Sequence, residues 1–150
     1  SYKEITLPLA TPPTKEDLLK MEDRFSGYQK RWATRQLDKL DKDGSLMTAY
    51  SYPIQIWRLG DQTMMMLGGE PAIEYAIQLK YIFGPDIFVL GYSNDVMAYI
   101  PSSAILNEGG YEGASSVMTT DLPSIWAADI ETTILSQMIQ LAQGSGVPRN

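Results

Sequence analysis

The chain has 150 residues, 44% of them hydrophobic and 10% aromatic, which is typical of a folded globular domain. It contains no cysteine and no histidine, which excludes disulfides, thiolate chemistry and an imidazole-based catalytic triad. Its net charge is −6, but nine of the twelve Lys and Arg lie within residues 1–44, and residues 45–150 carry the acidic excess. That excess argues against a nucleic-acid surface there, because phosphates require clustered Lys and Arg. It indicates either a solvated surface or a cation-attracting site.

The N-terminal third predicts a strand followed by one long helix. Residues 5–9 alternate apolar and small side chains, and Pro8 restricts this strand to a sheet edge. Thr14 is the expected N-cap of a helix over about 14–43, and Gly44 ends it. An apolar stripe runs along that helix at steps of three and four, at Leu18, Met21, Phe25, Tyr28 and Trp32.

The middle of the chain predicts a strand hairpin and then a strand–helix–strand unit. Residues 49–59 form a strand with Ile54 and Ile56 on one face and Trp57 and Leu59 on the other. A turn at 60–61 leads to the methionine-rich run 63–67, which is typical of a strand buried on both faces. A helix over 71–82 and a buried strand over 87–92 follow. A strand–helix–strand unit of this kind is expected to place its two strands in parallel, joined by a crossover connection.

The last third predicts irregular structure between two helices. Residues 96–100 are extended, Ser102 or Ser103 caps a short helix to about residue 107, and residues 109–113 form a flexible turn. A final amphipathic helix begins at Ser124 and ends near Gly144.

Together these elements predict an α/β (mixed α+β) fold: a mixed sheet with a long N-terminal and a C-terminal helix packed on it. We expect one piece over residues 1–150, with a strand and connector at 1–13, a folded body at 14–144 and a loose tail at 145–150. The Ser1 start suggests a processed or engineered boundary, and so a chain cut from something longer.

Two loops are the predicted places for chemistry, because ligands bind beyond the carboxyl ends of parallel strands. Residues 68–70, ending in Glu70, follow the first strand of the parallel pair, and residues 93–95 follow the second. Simpler roles stay open: Glu70 as a helix cap, Asn94 in an Asx-turn, and Tyr99 and Tyr111 as partly buried aromatics.

Short strings at these positions resemble the later part of the catalytic domain of neutral (non-lysosomal) ceramidases and their bacterial relatives. They are Gly69-Glu70, Gly91-Tyr92-Ser93-Asn94, Tyr99 and Tyr111-Glu112-Gly113-Ala114-Ser115, which together fall within about 49–116. Family members carry Gly-Glu after an apolar strand, an Asn five residues before a Tyr, and a Tyr-Glu segment twelve residues after that Tyr. The same two spacings separate Asn94 from Tyr99 and Tyr99 from Tyr111.

The resemblance implies a zinc-dependent amidase that releases a fatty acid from ceramide, with zinc held by two His, one Glu and one Tyr. Glu70 and Tyr99 match the Glu and Tyr ligands, and Tyr111 matches a catalytic tyrosine beside the scissile amide. Asn94, with Ser93 beside it, matches a position that supports the loop or the substrate. The two His would come from an upstream half of the domain in the parent protein.

The expected function is therefore that of a fragment of a ceramidase-like zinc amidohydrolase. We expect the parent to bind zinc and a lipid-like amide, and this chain alone to bind no zinc and to be inactive. The resemblance also implies an extracytoplasmic location, secreted or periplasmic. An exposed apolar surface would favour contact with the upstream half or a homodimer. The alternative is a non-catalytic binding module, which the lack of histidine and the altered motif flanks favour.

Overall fold

The computed structural model describes residues 1–150. Its strands are β1 (Tyr2–Pro8), β2 (Ala49–Leu59), β3 (Gln62–Leu67), β4 (Glu70–Pro71), β5 (Phe88–Leu90) and β6 (Tyr99–Ile100). Its helices are α1 (Lys15–Arg24), α2 (Gly27–Asp43), α3 (Ile73–Phe83), α4 (Ser103–Glu108), α5 (Gly110–Gly113) and α6 (Ile130–Gly144), with a 3-10 helix at Ser115–Thr119. The predicted mixed α/β class is confirmed. No helix combines the length and apolar character needed to cross a membrane.

A four-stranded mixed sheet forms the centre of the fold, in the order β1-β2-β3-β5. β1 and β3 flank β2 in antiparallel register, and β5 joins β3 in parallel register with Met65 opposite Val89. The predicted hairpin, the parallel strand–helix–strand unit and the edge position of β1 are all confirmed. A second, two-stranded sheet pairs β4 with β6 in parallel.

The main core lies on one face of the sheet, where α3 and α6 pack. Ile54 and Ile56 of β2 are buried there, and Trp57 and Leu59 point to the other face, as predicted. The prediction of a buried strand over 87–92 is wrong about burial, because β5 is partly exposed. Because β5 is a sheet edge with no layer over its outer face, Phe88 and Leu90 are 54% and 40% exposed.

The single N-terminal helix predicted over 14–43 is wrong, since the structure has two helices with a break at Phe25 and Ser26. Phe25 and Ser26 are extended, and Gly27 starts α2 with a φ of +61°, a backbone angle that favours glycine. The apolar spacing continues across the break because both helices bury residues in one small cluster. That cluster consists of Leu18, Trp32, Ala33 and Leu37. The predicted cap at Thr14 is present, as a capping box with Asp17.

Two further helix starts differ from prediction because strand pairing takes the residues that precede them. α3 begins at Ile73 rather than residue 71, since Pro71 pairs with Ile100 in the small sheet. α6 begins at Ile130 rather than at Ser124, since Trp126 forms an isolated antiparallel bridge with Leu9.

The C-terminal part is more ordered than predicted. Residues 110–113, expected as a flexible turn, form α5. The tail at 145–150, expected to be loose, packs on the body, with Val147 buried and the Asn150 backbone N–H donating to the Ile82 carbonyl at 3.1 Å. The short helix α4 is capped by Ser102, one of the two serines predicted for that role.

Candidate functional site

The β4–β6 ladder brings two predicted site residues side by side. Glu70 is the register partner of Tyr99, although 29 positions separate them in the chain. The Glu70 backbone N–H donates to the Ala98 carbonyl at 2.9 Å, and the Ala72 N–H donates to the Ile100 carbonyl at 3.0 Å. In a parallel ladder, paired residues extend their side chains to the same side.

Two glycines permit this close approach of backbones. Gly69 has a φ of +63°, and a Cβ on it would lie 2.6 Å from the Ala98 carbonyl oxygen. A Cβ on Gly91 would lie 2.6 Å from Cδ of Pro71. The glycine that precedes Glu70 is therefore required by the geometry that joins β4 to β6.

The loop after β5 is fastened to the same place by backbone hydrogen bonds. The Tyr92 N–H donates to the Gly69 carbonyl and the Gly69 N–H donates to the Asp95 carbonyl, both at 2.8 Å. Tyr92 and Asn94 have φ values of +52° and +68°, so two non-glycine residues are in the left-handed region. Such backbone strain persists only where surrounding contacts enforce it. The Tyr50 hydroxyl also holds the loop, donating to the Asp95 carboxylate at 2.7 Å.

Ser93 and Asn94 make hydrogen bonds that shape this loop. The Ser93 hydroxyl donates to the Gly91 carbonyl at 3.0 Å, and the Asn94 amide donates to the Gln55 side chain of β2 at 3.1 Å. Asn94 thus ties the loop to the outer face of the main sheet. Of the two roles that its motif position suggests, loop support is the one these contacts provide.

Tyr111 lies against Tyr99, with ring centroids 5.8 Å apart and the rings at 75°, an edge-to-face arrangement. Tyr111 is carried by α5, which packs closely on α4 because Gly113 has no side chain. A Cβ there would lie 2.3 Å from the Ile105 carbonyl oxygen. Since Tyr111 is 47% exposed, it remains open to a ligand. Glu70, Tyr99 and Tyr111 therefore occupy one neighbourhood.

Sequence reasoning missed Tyr92 as a neighbour of Glu70. The hydrogen bond with the Glu70 carboxylate is the main cause that raises the pKa of the Tyr92 phenol. For Tyr99, desolvation raises the pKa first, and the negative charge of Glu70 adds to it. Both effects disfavour the phenolate form of these side chains. The signal for Tyr92 was its place after a β strand, but its left-handed φ, which sets its direction, is not visible in the sequence.

Structural and catalytic zinc sites usually have four ligands, and two side chains that could serve as such ligands lie in this neighbourhood. A carboxylate and a phenol are suitable oxygen donors, and their adjacency fits the Glu and Tyr half of such a shell. No group of three or more His, Cys, Asp or Glu side chains converges anywhere in residues 1–150. The chain therefore offers a carboxylate and a phenol at this place, without a third acidic side chain beside them.

A cavity of about 650 Å³ opens beside Glu70 and Tyr99. The Trp126 indole supports the strand behind it, donating to the Tyr99 carbonyl at 2.8 Å and contacting the Tyr50 ring edge-on. Its lining also includes Arg35 of α2 and residues 119–122, which run on from the last residue of the 3-10 helix. This volume is within the range of small-molecule sites.

No family model, curated protein or solved structure matches the chain.

Proposed function

We propose that this chain supplies the Glu and Tyr half of a zinc site in a ceramidase-like amidohydrolase. The substrate would be an amide of the N-acyl sphingoid or a related lipid class. The observation that carries the proposal is the pairing of Glu70 with Tyr99, with Tyr111 packed on the Tyr99 ring. Three residues that share one motif pattern are thus neighbours in space, which a purely structural role for each would not require.

Each of the three side chains has a distinct task in this proposal. Glu70 contributes carboxylate oxygens, and Tyr99 contributes its phenol oxygen after loss of a proton. Because burial and Glu70 both raise the pKa of Tyr99, that proton leaves only when a cation lies close by. Tyr111, partly exposed, would donate a hydrogen bond to the oxygen of the scissile carbonyl. Zinc, when bound, polarises that carbonyl and lowers the pKa of its bound water.

The 150-residue chain is then inactive by itself. Two neutral imidazoles must come from outside it, since it contains no histidine. The outer sheet face, which exposes Trp57, Phe88 and Leu90, is where we propose that the upstream half of the parent or a second copy of this chain makes contact. By the same resemblance, we propose that the parent is extracytoplasmic.

Zinc content and turnover measured on the same variants test this assignment. In the protein encoded by the complete gene, Glu70→Gln and Tyr99→Phe should each lose bound zinc and amide hydrolysis together. Tyr111→Phe should keep its zinc and lose most of the turnover on an N-acyl sphingosine. Tyr92→Phe is the matched control, because Tyr92 also contacts Glu70 but is not an assigned ligand. Full zinc content by mass spectrometry in both ligand variants would reject the zinc assignment.

A non-catalytic binding module is the second candidate, favoured by the absence of histidine from the 150 residues. The complete gene product separates the two functions. A wild-type protein that carries no zinc and hydrolyses no amide, but retains the folded domain by circular dichroism, would favour the module.

A further inference from the structure

A second cavity, of about 370 Å³, is lined by residues of α1, α2, the 3-10 helix and the segment 123–125. Its larger apolar side chains are Met21, Trp32, Val117, Met118 and Ile125, and we call it the apolar cavity. No charged residue lines it, although 20% of the residues in the chain are charged. Because a charge beside hydrocarbon is costly, a lining without one suits an uncharged, apolar ligand group.

Hydrogen bonds hold two walls of the apolar cavity in place. The Trp32 indole is almost fully buried and donates to the Leu122 carbonyl at 2.9 Å. The Ala10 backbone N–H donates to the Ile125 carbonyl at 2.8 Å. The two methionines of the lining are only partly buried against the small cluster that contains Trp32. Because methionine side chains are flexible, they can adjust to an alkyl chain between these fixed walls.

The apolar cavity adjoins the segment that carries Tyr111. Ala114, which lines the cavity, follows Tyr111 by three residues, so their Cα atoms are no more than about 11 Å apart. Ala114 and Val117 also line a small void that has Tyr99 in its wall. The apolar cavity therefore shares part of its lining with the surroundings of the candidate site.

We propose that the apolar cavity binds the acyl chain of the N-acyl substrate. This inference rests on the proposed function, in which Tyr111 donates a hydrogen bond to the oxygen of the scissile carbonyl. The acyl chain is attached to that carbonyl carbon, so it leaves the amide beside Tyr111, close to Ala114. The sphingoid portion is on the nitrogen side of the amide and is not assigned to this cavity. Met21 and Met118 are then specificity residues for the acyl chain.

Binding to the metal-free chain tests the inference without any zinc chemistry. The probes are N-octanoylethanolamine, N-hexanoylethanolamine and N-acetylethanolamine, which share a neutral amide head and differ only in the acyl chain. Carbon-13 methyl resonances of the methionines report where the chain binds. Met21 and Met118 line the apolar cavity, Met47 and Met97 line the cavity of the candidate site, and Met64 lies on the outer sheet face.

N-octanoylethanolamine should shift the Met21 and Met118 resonances and leave Met64 unchanged, and the acetyl probe should shift neither. Affinity should rise about fourfold for each methylene that the cavity buries, measured from the hexanoyl to the octanoyl probe. Met21→Glu places a charge in the lining and should weaken octanoyl binding by at least about tenfold. Leu19→Glu is the matched control, because Leu19 is on the same helix, 49% exposed and outside the lining, and it should bind as the wild type does.

Three results would overturn the inference: no shift of Met21 and Met118 with the octanoyl probe, equal affinity for the octanoyl and hexanoyl probes, or unchanged binding in a folded Met21→Glu variant. The wild-type shifts decide the first point whether or not that variant folds. Full zinc content in the ligand variants described above would reject the zinc site and leave these shifts unchanged. Failure of the inference and failure of the proposed function are therefore distinguishable.

Discussion

Gly69 joins the main sheet to the candidate site, and its replacement by alanine tests how that junction is built. With a φ of +63°, Gly69 has a backbone that costs an L-residue about 1–2 kcal/mol. The new Cβ would also lie 2.6 Å from the Ala98 carbonyl oxygen and 2.8 Å from Cγ1 of Ile100. Ile100 is fully buried and the Ala98 carbonyl accepts the Glu70 N–H, so neither moves freely. Such overpacking costs about 1–3 kcal/mol, which gives a total loss of about 2–5 kcal/mol.

Gly60 provides the matched control for this substitution. Its φ is also +63°, but a Cβ there would have no neighbour within 4 Å. Gly60→Ala should therefore lose only the backbone part, about 1–2 kcal/mol. Urea unfolding followed by tryptophan fluorescence measures both variants, and the m-value shows whether each unfolds in two states. If Gly69→Ala is destabilised no more than Gly60→Ala, the β4–β6 junction is not as crowded as we describe.

Three further variants test other parts of the structure. Trp126→Phe removes the buried donor to the Tyr99 carbonyl and should cost about 1–3 kcal/mol in urea unfolding; an unchanged midpoint would contradict the role of this bond. Ser102→Ala removes the cap of α4 and should cost about 0.5–2 kcal/mol in the same assay, less if water replaces the hydroxyl. Desolvation raises the pKa of Tyr50 to about 12, whereas the unfolded value is about 10. Above pH ~10 the folded state therefore keeps a proton that the unfolded state loses, and stability should fall between pH ~10 and ~12. Tyr50→Phe should fall less steeply over that range, and an identical slope would show that Tyr50 titrates normally.

Much of the fold is predictable from the sequence because it is encoded locally. Alternation in β2 placed Ile54 and Trp57 on opposite faces, as the structure has them, and the turn at 60–61 set the hairpin. The cap at Ser102 needed only a serine before a short apolar run.

The errors arise where a distant contact decides the local structure. Trp126 is spaced as if on the final helix, but its bridge to Leu9 keeps it extended. The break at Phe25–Ser26 is hidden because α1 and α2 fold back on each other and bury the same face. Tertiary packing overrides helical periodicity in both places.

The candidate site shows the same division between local and distant information. Motif spacing selected Glu70 and Tyr99, but only the ladder between β4 and β6 makes them neighbours. No sequence motif indicated Arg35. It lines the cavity because α2 packs beside the 3-10 helix, and this contact joins parts of the chain about 85 residues apart.

The pairing of Glu70 with Tyr99 depends on the register of the β4–β6 ladder. A register shift of one residue would place Glu70 opposite Ala98 or Ile100 and turn the two side chains to opposite faces. Gly69 and Gly91, which belong to the same motif strings, permit this register through the positive φ of Gly69 and the close approach of Gly91 to Pro71. Glu70 does not cap α3, since that helix begins three residues later and Glu70 accepts no hydrogen bond from the first turn of α3. The juxtaposition of Glu70 and Tyr99 is therefore a property that the fold maintains.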